Sequence, residues 1–136
     1  MKFELHRDIL ISDTDAAGVV FFGRYPILYH DAYELALKQH GIHLLERCRE
    51  ESILLPVTNL QVDYRRSLIA GDRVRIELTT TVTGEDTFDV RASIWKKIGD
   101  SEKEASRSVI THTCISSENR RRTPLPLFWR ELLNGE

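Results

Sequence analysis

The strongest constraint on this chain lies in its second half, where period-two segments follow one another with little room between them. Val74, Ile76, Leu78, Thr80 and Val82 alternate with polar neighbours, and Phe88, Val90, Ala92 and Ile94 do so again after the turn Gly84-Glu85-Asp86. Gly99-Asp100-Ser101 makes the next turn, and Ser106 to Ser116 is rich in β-branched residues. Ahead of them Leu60, Val62 and Tyr64 alternate before the turn at Gly71-Asp72. Period two places alternate side chains on opposite faces of a strand. Short turns impose antiparallel pairing, because a parallel crossover takes a dozen residues or more. The result is an antiparallel sheet with one apolar face, which must be covered.

The first half supplies the cover. Between Arg24 and His40, Ile27, Leu28, Ala32, Leu35 and Ala36 recur at helical spacing. Pro26 suits the first turn, where a missing N–H is harmless, and Gly41 suits the position just past the end. Tyr25, Tyr29, His30, Asp31, Tyr33 and Glu34 read mostly as surface or interface residues of that helix. Before it, Phe3, Leu5, Ile9 and Ile11 share one face of a first strand over Phe3 to Ile11, with Arg7 the exception. Shorter helical patterns cover His43 to Glu51 and Leu127 to Leu133. The order predicts an α+β fold, an antiparallel sheet wrapped around one long central helix. With 136 residues and no linker, repeat or low-complexity segment, residues 1–136 make one domain.

Composition removes several function classes. Lys plus Arg is 19 and Asp plus Glu is 21, so a net charge of -2 offers no pull toward nucleic acid or an anionic membrane. The apolar runs are far too short to span a bilayer, and Met1-Lys2-Phe3-Glu4 lacks the apolar core of a signal peptide. Cys48 and Cys114 form no CxxC or zinc spacing, which predicts a reduced cytoplasmic protein with two passive thiols. His6, His40, His43 and His112 stand at no metal-ligand spacing, and His112, within a strand, reads as a core or interface histidine. No GxSxG, Walker loop or GxGxxG occurs, and neither a metal nor a cofactor is expected.

The chemistry concentrates between strand and helix, in Asp13-Thr14-Asp15-Ala16-Ala17-Gly18-Val19-Val20-Phe21-Phe22. Two carboxylates sit at a strand end, a glycine permits a tight turn, and a helix begins whose first N–H groups have no partners inside it. A carboxylate facing such donors can attack a carbonyl while the donors hold the oxyanion. Asp-x-Asp-x-x-Gly-Val-Val-aromatic, after a first strand and before a long helix, resembles the 4-hydroxybenzoyl-CoA thioesterase family of the hotdog fold. Pro56 to Asp72, with Asp63-Tyr64 and Gly71-Asp72, resembles the strand and turn after the helix in that family. Thr123-Pro124-Leu125-Pro126 with Trp129, and the run His30-Asp31-Ala32-Tyr33-Glu34, resemble a narrower branch, the cyanobacterial 1,4-dihydroxy-2-naphthoyl-CoA hydrolases.

The resemblance implies a hotdog thioesterase that hydrolyses an acyl-CoA. Asp15 would be its nucleophile or general base, and the Phe22 backbone N–H its oxyanion donor. Either role of Asp15 needs an ionised carboxylate, which an Asp with a reference pKa of about 3.9 provides at neutral pH. Asp13 reads as structural, bonding loop N–H groups. Gly18, Val19, Phe21, Tyr25, Val57 and Asn59 are the candidate substrate-binding residues, Asn59 only if it points toward Asp15 across a subunit boundary. Glu34 or Asp31 is the second candidate for the catalytic carboxylate. The implied substrate is 1,4-dihydroxy-2-naphthoyl-CoA, with 4-hydroxybenzoyl-CoA or a short or medium aliphatic acyl-CoA as alternatives. A non-catalytic acyl-CoA-binding module is the alternative from another class. The implied assembly is a homo-oligomer, a dimer of dimers. The turn Thr83 to Thr87, where some relatives carry a basic cluster for coenzyme A phosphates, is acidic here. Arg120, Arg121 and Arg122, or Lys96 and Lys97, are the substitutes the sequence offers.

Overall fold

A computed structural model describes residues 1–135; the last residue of the expected 1–136 domain lies outside the described residues. Strand β1 (Lys2–Asp8) leads through a short 3-10 turn (Ile11–Asp13), a loop and a second 3-10 turn (Phe22–Arg24) into helix α1 (Tyr25–Gln39). Helix α2 (Leu44–Glu51) and the two-residue strand β2 (Ile53–Leu54) follow. Strands β3 (Val57–Tyr64), β4 (Arg73–Val82), β5 (Thr87–Ile98) and β6 (Ser101–Thr113) come next. The described chain ends with β7 (Ile115–Ser116) and α3 (Leu127–Asn134).

The main sheet has the order β1-β4-β5-β6-β3, every pair antiparallel, with β2 and β7 forming a small separate pair. Its register aligns the apolar positions that period two sets on one face. Leu5 faces Ile76, Ile76 faces Ile94, Leu78 faces Ala92, and Val90 faces Ile110. Helix α1 lies against this face, so one antiparallel sheet wraps one long helix, the hotdog arrangement that the sequence predicts. Among the described residues, no helix is long and apolar enough to cross a membrane.

The helix meets the sheet through Leu28, Ala32 and Ala36 of the expected stripe, joined by a row of tyrosines in place of Ile27 and Leu35. Tyr25, Leu28, Tyr29, Ala32, Tyr33, Ala36 and Leu37 are buried, whereas Ile27 and Leu35 are about half exposed. The three tyrosines, expected at the surface or an interface, belong to the core. Their spacing of four stacks them on one helix face. The Tyr29 hydroxyl donates to Ser106 Oγ at 2.7 Å, which removes the penalty of burying it. Past α1, Gly41 (φ +74°) lets its own N–H reach Lys38 O and the Ile42 N–H reach Leu37 O, a Schellman stop.

Strand β1 is shorter than expected. It ends at Asp8, and Ile11 opens the 3-10 turn facing solvent rather than sharing a face with Phe3 and Leu5. Arg7 lies on the partly buried side with Phe3 and Leu5 because it has an ionic partner there. Helix α3 closes one end of the molecule. Trp129 is fully buried and its indole N–H donates to Glu51 of α2, while the Arg47 guanidinium lies over the Phe128 ring at 3.7 Å.

Candidate active site

The loop between β1 and α1 is built on a buried carboxylate. Asp13 has essentially no exposed side-chain surface. Its Oδ2 accepts from the Leu10 N–H at 2.8 Å and from Arg7 at 2.7 Å, and its Oδ1 accepts from Arg24 Nε at 2.8 Å. Burial opposes ionisation here, but the Leu10 N–H and the Arg24 and Arg7 guanidinium groups outweigh it and hold the carboxyl below its ordinary range. Asp13 thus bonds a loop N–H, as expected, and also fastens β1 to the entry of α1 through two arginines.

Asp15 is placed oppositely. Thr14 is extended (φ -104°, ψ 162°), which carries the chain out of the buried turn before Asp15 begins the next. The Gly18 N–H donates to Asp15 O at 3.0 Å and the Asp15 N–H to Val19 O at 2.9 Å, closing a four-residue turn whose last corner needs φ +82° at Gly18. Asp15 Oδ1 accepts from the Ala17 N–H at 2.8 Å, while Oδ2 has no partner among the described residues. The side chain is exposed. Val19 and Val20 then anchor the loop: Val20 is buried and donates its N–H to Leu68 O, and Val19 bridges to Ile69.

Two peptide planes follow, each held by its carbonyl. The Phe21 carbonyl accepts from the Arg24 N–H at 2.8 Å, and the Phe22 carbonyl accepts from the Tyr64 hydroxyl at 2.9 Å. The N–H groups of the same two planes, those of Phe22 and Gly23, have no hydrogen-bond partner among the described residues. A cleft of about 390 Å³ opens here, lined by Asp15, Phe21, Gly23, Arg24 and Ile27 among others. An exposed carboxylate oxygen, unbonded backbone donors at a helix entry and apolar walls are thereby grouped within one short loop. That grouping is chemically suited to attack on a carbonyl whose oxygen gains charge.

The other expected residues are dispersed. Gly18 and Val19 belong to the Asp15 turn, and Phe21 forms one cleft wall, about half exposed. Tyr25 is only 3% exposed and meets Tyr64 edge-on at 5.0 Å, so it supports the site from the core. Val57 and Asn59 begin β3, roughly 17–23 Å along that strand from Tyr64 at about 3.3 Å per residue. Within one chain they do not line the cleft. Asp31 and Glu34 point outward from α1, and Glu34 borders a separate apolar cleft of about 660 Å³ with His43, Leu44 and Leu54. Lys96 is engaged by Asp72 at 3.2 Å and Ser67 O at 3.1 Å, and Arg122 faces Asp86 at 3.9 Å. The acidic turn after β4 gives two carbonyls, of Gly84 and Glu85, to Arg130 of α3.

Two residues of the site escaped the sequence. Arg24 gives no periodic signal, and Tyr64 reads only as a strand position and as part of a motif. Arg7 did leave a trace, as the charge that interrupts an apolar strand face. His112 is a core histidine as expected: its Nδ1 lies 2.9 Å from Leu55 O, its ring stacks on Phe88 at 4.9 Å, and burial lowers its pKa. Cys48 and Cys114 are free and buried, and burial pushes both thiols up to about 11.

Known proteins share this architecture. The chain matches the Thioesterase-like superfamily over residues 9–133. It is 35% identical to a 1,4-dihydroxy-2-naphthoyl-CoA hydrolase of Synechococcus elongatus over 91% of this chain and 89% of that one. It is 34% identical to the hydrolase of the same name from Microcystis aeruginosa, over 88% and 84%. Among solved structures, a 1,4-dihydroxy-2-naphthoyl-CoA thioesterase from Synechocystis superposes with a TM-score of 0.89 at 28% identity, over 98% of this chain and 96% of that one. A 4-hydroxybenzoyl CoA thioesterase complexed with 4-hydroxybenzoyl CoA shares the fold, with a TM-score of 0.87 at 17% identity over 98% and 99% of the two chains. With the matched region running from the end of β1 into α3, the chain belongs to the thioesterase-like superfamily of hotdog proteins.

Proposed function

We propose that this protein hydrolyses an aromatic acyl-CoA, 1,4-dihydroxy-2-naphthoyl-CoA, to the free acid and coenzyme A. The observation that carries the reading is the Asp15 loop, an exposed carboxylate sharing a short turn-and-helix entry with unbonded N–H donors. It occurs in a chain one-third identical to hydrolases of that name. Asp15 Oδ2 attacks the thioester carbonyl, or takes a proton from the water that does. The Phe22 N–H donates to the carbonyl oxygen as charge grows there, and the nearby helix start adds partial positive charge. The carbon–sulfur bond then breaks and coenzyme A leaves as the thiolate; on the nucleophilic route water next hydrolyses the mixed anhydride left on Asp15, releasing the acid and restoring the carboxylate. Phe21 and Ile27 give the acyl ring apolar walls. The reaction would belong to phylloquinone or menaquinone biosynthesis, in the cytoplasm.

The working assembly in this reading is a dimer of dimers, each chain one hotdog domain, with two protomers completing each site. Strand β3 supports it: it is a sheet edge with nearly every residue exposed, including the apolar Val57, Leu60 and Tyr64. An unpaired apolar edge is a template for pairing with a second copy. Pairing there gives Val57 and Asn59 a route to a partner's cleft that they lack within their own chain.

The test is thiol release from 1,4-dihydroxy-2-naphthoyl-CoA by wild type and Asp15→Asn. Turnover by wild type with kcat lower by about 10²–10⁴ in the variant is expected, the range for losing a positioned acid–base group. Turnover retained in the variant would move the chemistry to Glu34 or Asp31. A wild type that prefers aliphatic acyl-CoA in kcat/KM would reject the naphthoyl substrate.

A further inference from the structure

We infer that Tyr64 is a positioning residue of this site, its hydroxyl steadying the peptide plane between Phe22 and Gly23 and with it the free N–H of Gly23, a residue that lines the cleft. The inference rests on the thioesterase reading above and deepens it. A peptide is rigid and planar, so a bond to its carbonyl also sets the direction of its N–H. The Phe21–Phe22 peptide carries the Phe22 N–H and is held from inside the turn, by the Arg24 N–H on Phe21 O. The Phe22–Gly23 peptide carries the Gly23 N–H, and its carbonyl, besides its place in the 3-10 turn, accepts from the Tyr64 hydroxyl 42 residues away at 2.9 Å, the contact that ties this plane to β3. Without that hydroxyl the plane keeps only the local bonds of the 3-10 turn and gains freedom to rock about the Phe22 backbone.

The support behind Tyr64 is stiff. Tyr64 is the last residue of β3 and pairs with Ser106 in the sheet register, and the next N–H, of Arg65, donates to Ala105 O at 2.8 Å. Its ring rests edge-on against Tyr25, itself buried in the core at the first position of α1. The contact therefore runs from sheet and core to one carbonyl of the turn. Tyr64 is about half exposed, so its hydroxyl could have been solvated by water at no loss. Gly23 fits the same picture. A Cβ there would come within 2.8 Å of the Phe21 ring, so the absence of a side chain lets Phe21 fold over the turn while the backbone of residue 23 faces the cleft.

Tyr64→Phe removes the hydroxyl and keeps the ring. Donors that act as charge develops affect kcat rather than substrate binding. The expected result is a fall in kcat of about three- to tenfold, the size of one neutral hydrogen bond's effect on the population of the aligned turn. KM stays within about twofold in the same scale of argument. Tyr64→Leu should lose as much as Tyr64→Phe, because the hydroxyl and not the ring carries the effect. A second readout is independent of activity. With seven glycines in the chain, ¹⁵N-glycine labelling gives a sparse amide spectrum. The Gly23 peak should move in Tyr64→Phe while those of Gly84, Gly99 and Gly135 stay. An unmoved Gly23 peak, or a kcat unchanged while Asp15→Asn is inactive, overturns the inference and leaves the thioesterase reading standing. If wild type turns over no acyl-CoA, that reading fails instead, and the Gly23 peak still decides whether Tyr64 holds the turn.

Discussion

Replacing Asp13 by Asn keeps the shape of the side chain and removes its charge, which tests how much of the active loop hangs on one buried carboxylate. The wild-type group accepts three hydrogen bonds between 2.7 and 2.8 Å, two of them from guanidinium groups. Bonds to charged groups contribute about 1.5–3 kcal/mol each before the cost of burying the carboxylate is counted. Breaking a buried ion pair costs about 3–5 kcal/mol when the partner is left stranded. Arg7 and Arg24 are 24% and 33% exposed and regain water, so the expected loss is about 2–4 kcal/mol. An unfolding entropy of about 2.1 cal/mol/K per residue over 136 residues gives about 0.29 kcal/mol/K, hence a fall in Tm of about 7–14 °C. Thermal unfolding followed by circular dichroism, at one protein concentration for both proteins, measures it. The pH dependence has a definite sign. Because the folded carboxyl titrates below the ordinary value of 3.8, the unfolded chain takes up the proton first as pH falls. The stability due to Asp13 is therefore complete well above 3.8 and is lost as pH drops through the lower, folded value. Wild type should lose Tm more steeply in acid than Asp13→Asn, and the gap should narrow. A gap below about 2 °C at pH 7, or one of equal size at pH 7 and pH 3, would refute the reasoning, since a charge-borne contribution has neither property.

Two further outcomes follow from the same geometry. Gly18→Ala meets no neighbouring atom within 4 Å, so its cost is conformational: about 1 kcal/mol for a residue with a side chain at φ +82°, seen in urea unfolding, with a loss of kcat as the Asp15 turn relaxes. Cys48 and Cys114, buried and titrating near 11, should resist a thiol reagent at pH 8 in the native protein and react fully once urea unfolds it.

What the sequence disclosed depends on the range of the interaction concerned. Alternation in β4 and β5 is a local property of the backbone, and the pairing of Ile76 with Ile94 and Leu78 with Ala92 follows once the turn between them is placed. The helix is legible for the same reason, and so are Leu28, Ala32 and Ala36 on its inner face, but the tyrosines beside them are not, because Tyr reads as a residue with a wet end. Tyr29 can be buried because Ser106, 77 residues away, accepts a hydrogen bond from its hydroxyl, and no local pattern reports that. Ile11 was misplaced because the 3-10 turn breaks the period just where the strand appeared to continue. The Tyr64 contact to Phe22 O, like the Trp129 bond to Glu51, exists only after distant elements are packed.

The pair Asp13 and Asp15 shows how position alone gives identical side chains opposite surroundings. In an uninterrupted strand, residues two apart point the same way, and both carboxylates would share one environment. The turn Ile11–Asp13 breaks that rule. It turns Asp13 inward, where Arg7 and Arg24 already wait on the strand and at the helix entry, and extended Thr14 then delivers Asp15 to the surface. The arginines are consumed by Asp13, and no salt bridge reaches Asp15 among the described residues. In the reaction proposed above, Asp15 gains from that separation, because a bidentate arginine would occupy the lone pairs that the attack uses. The ion pairs that fasten the loop thus also keep their cations off the neighbouring carboxylate.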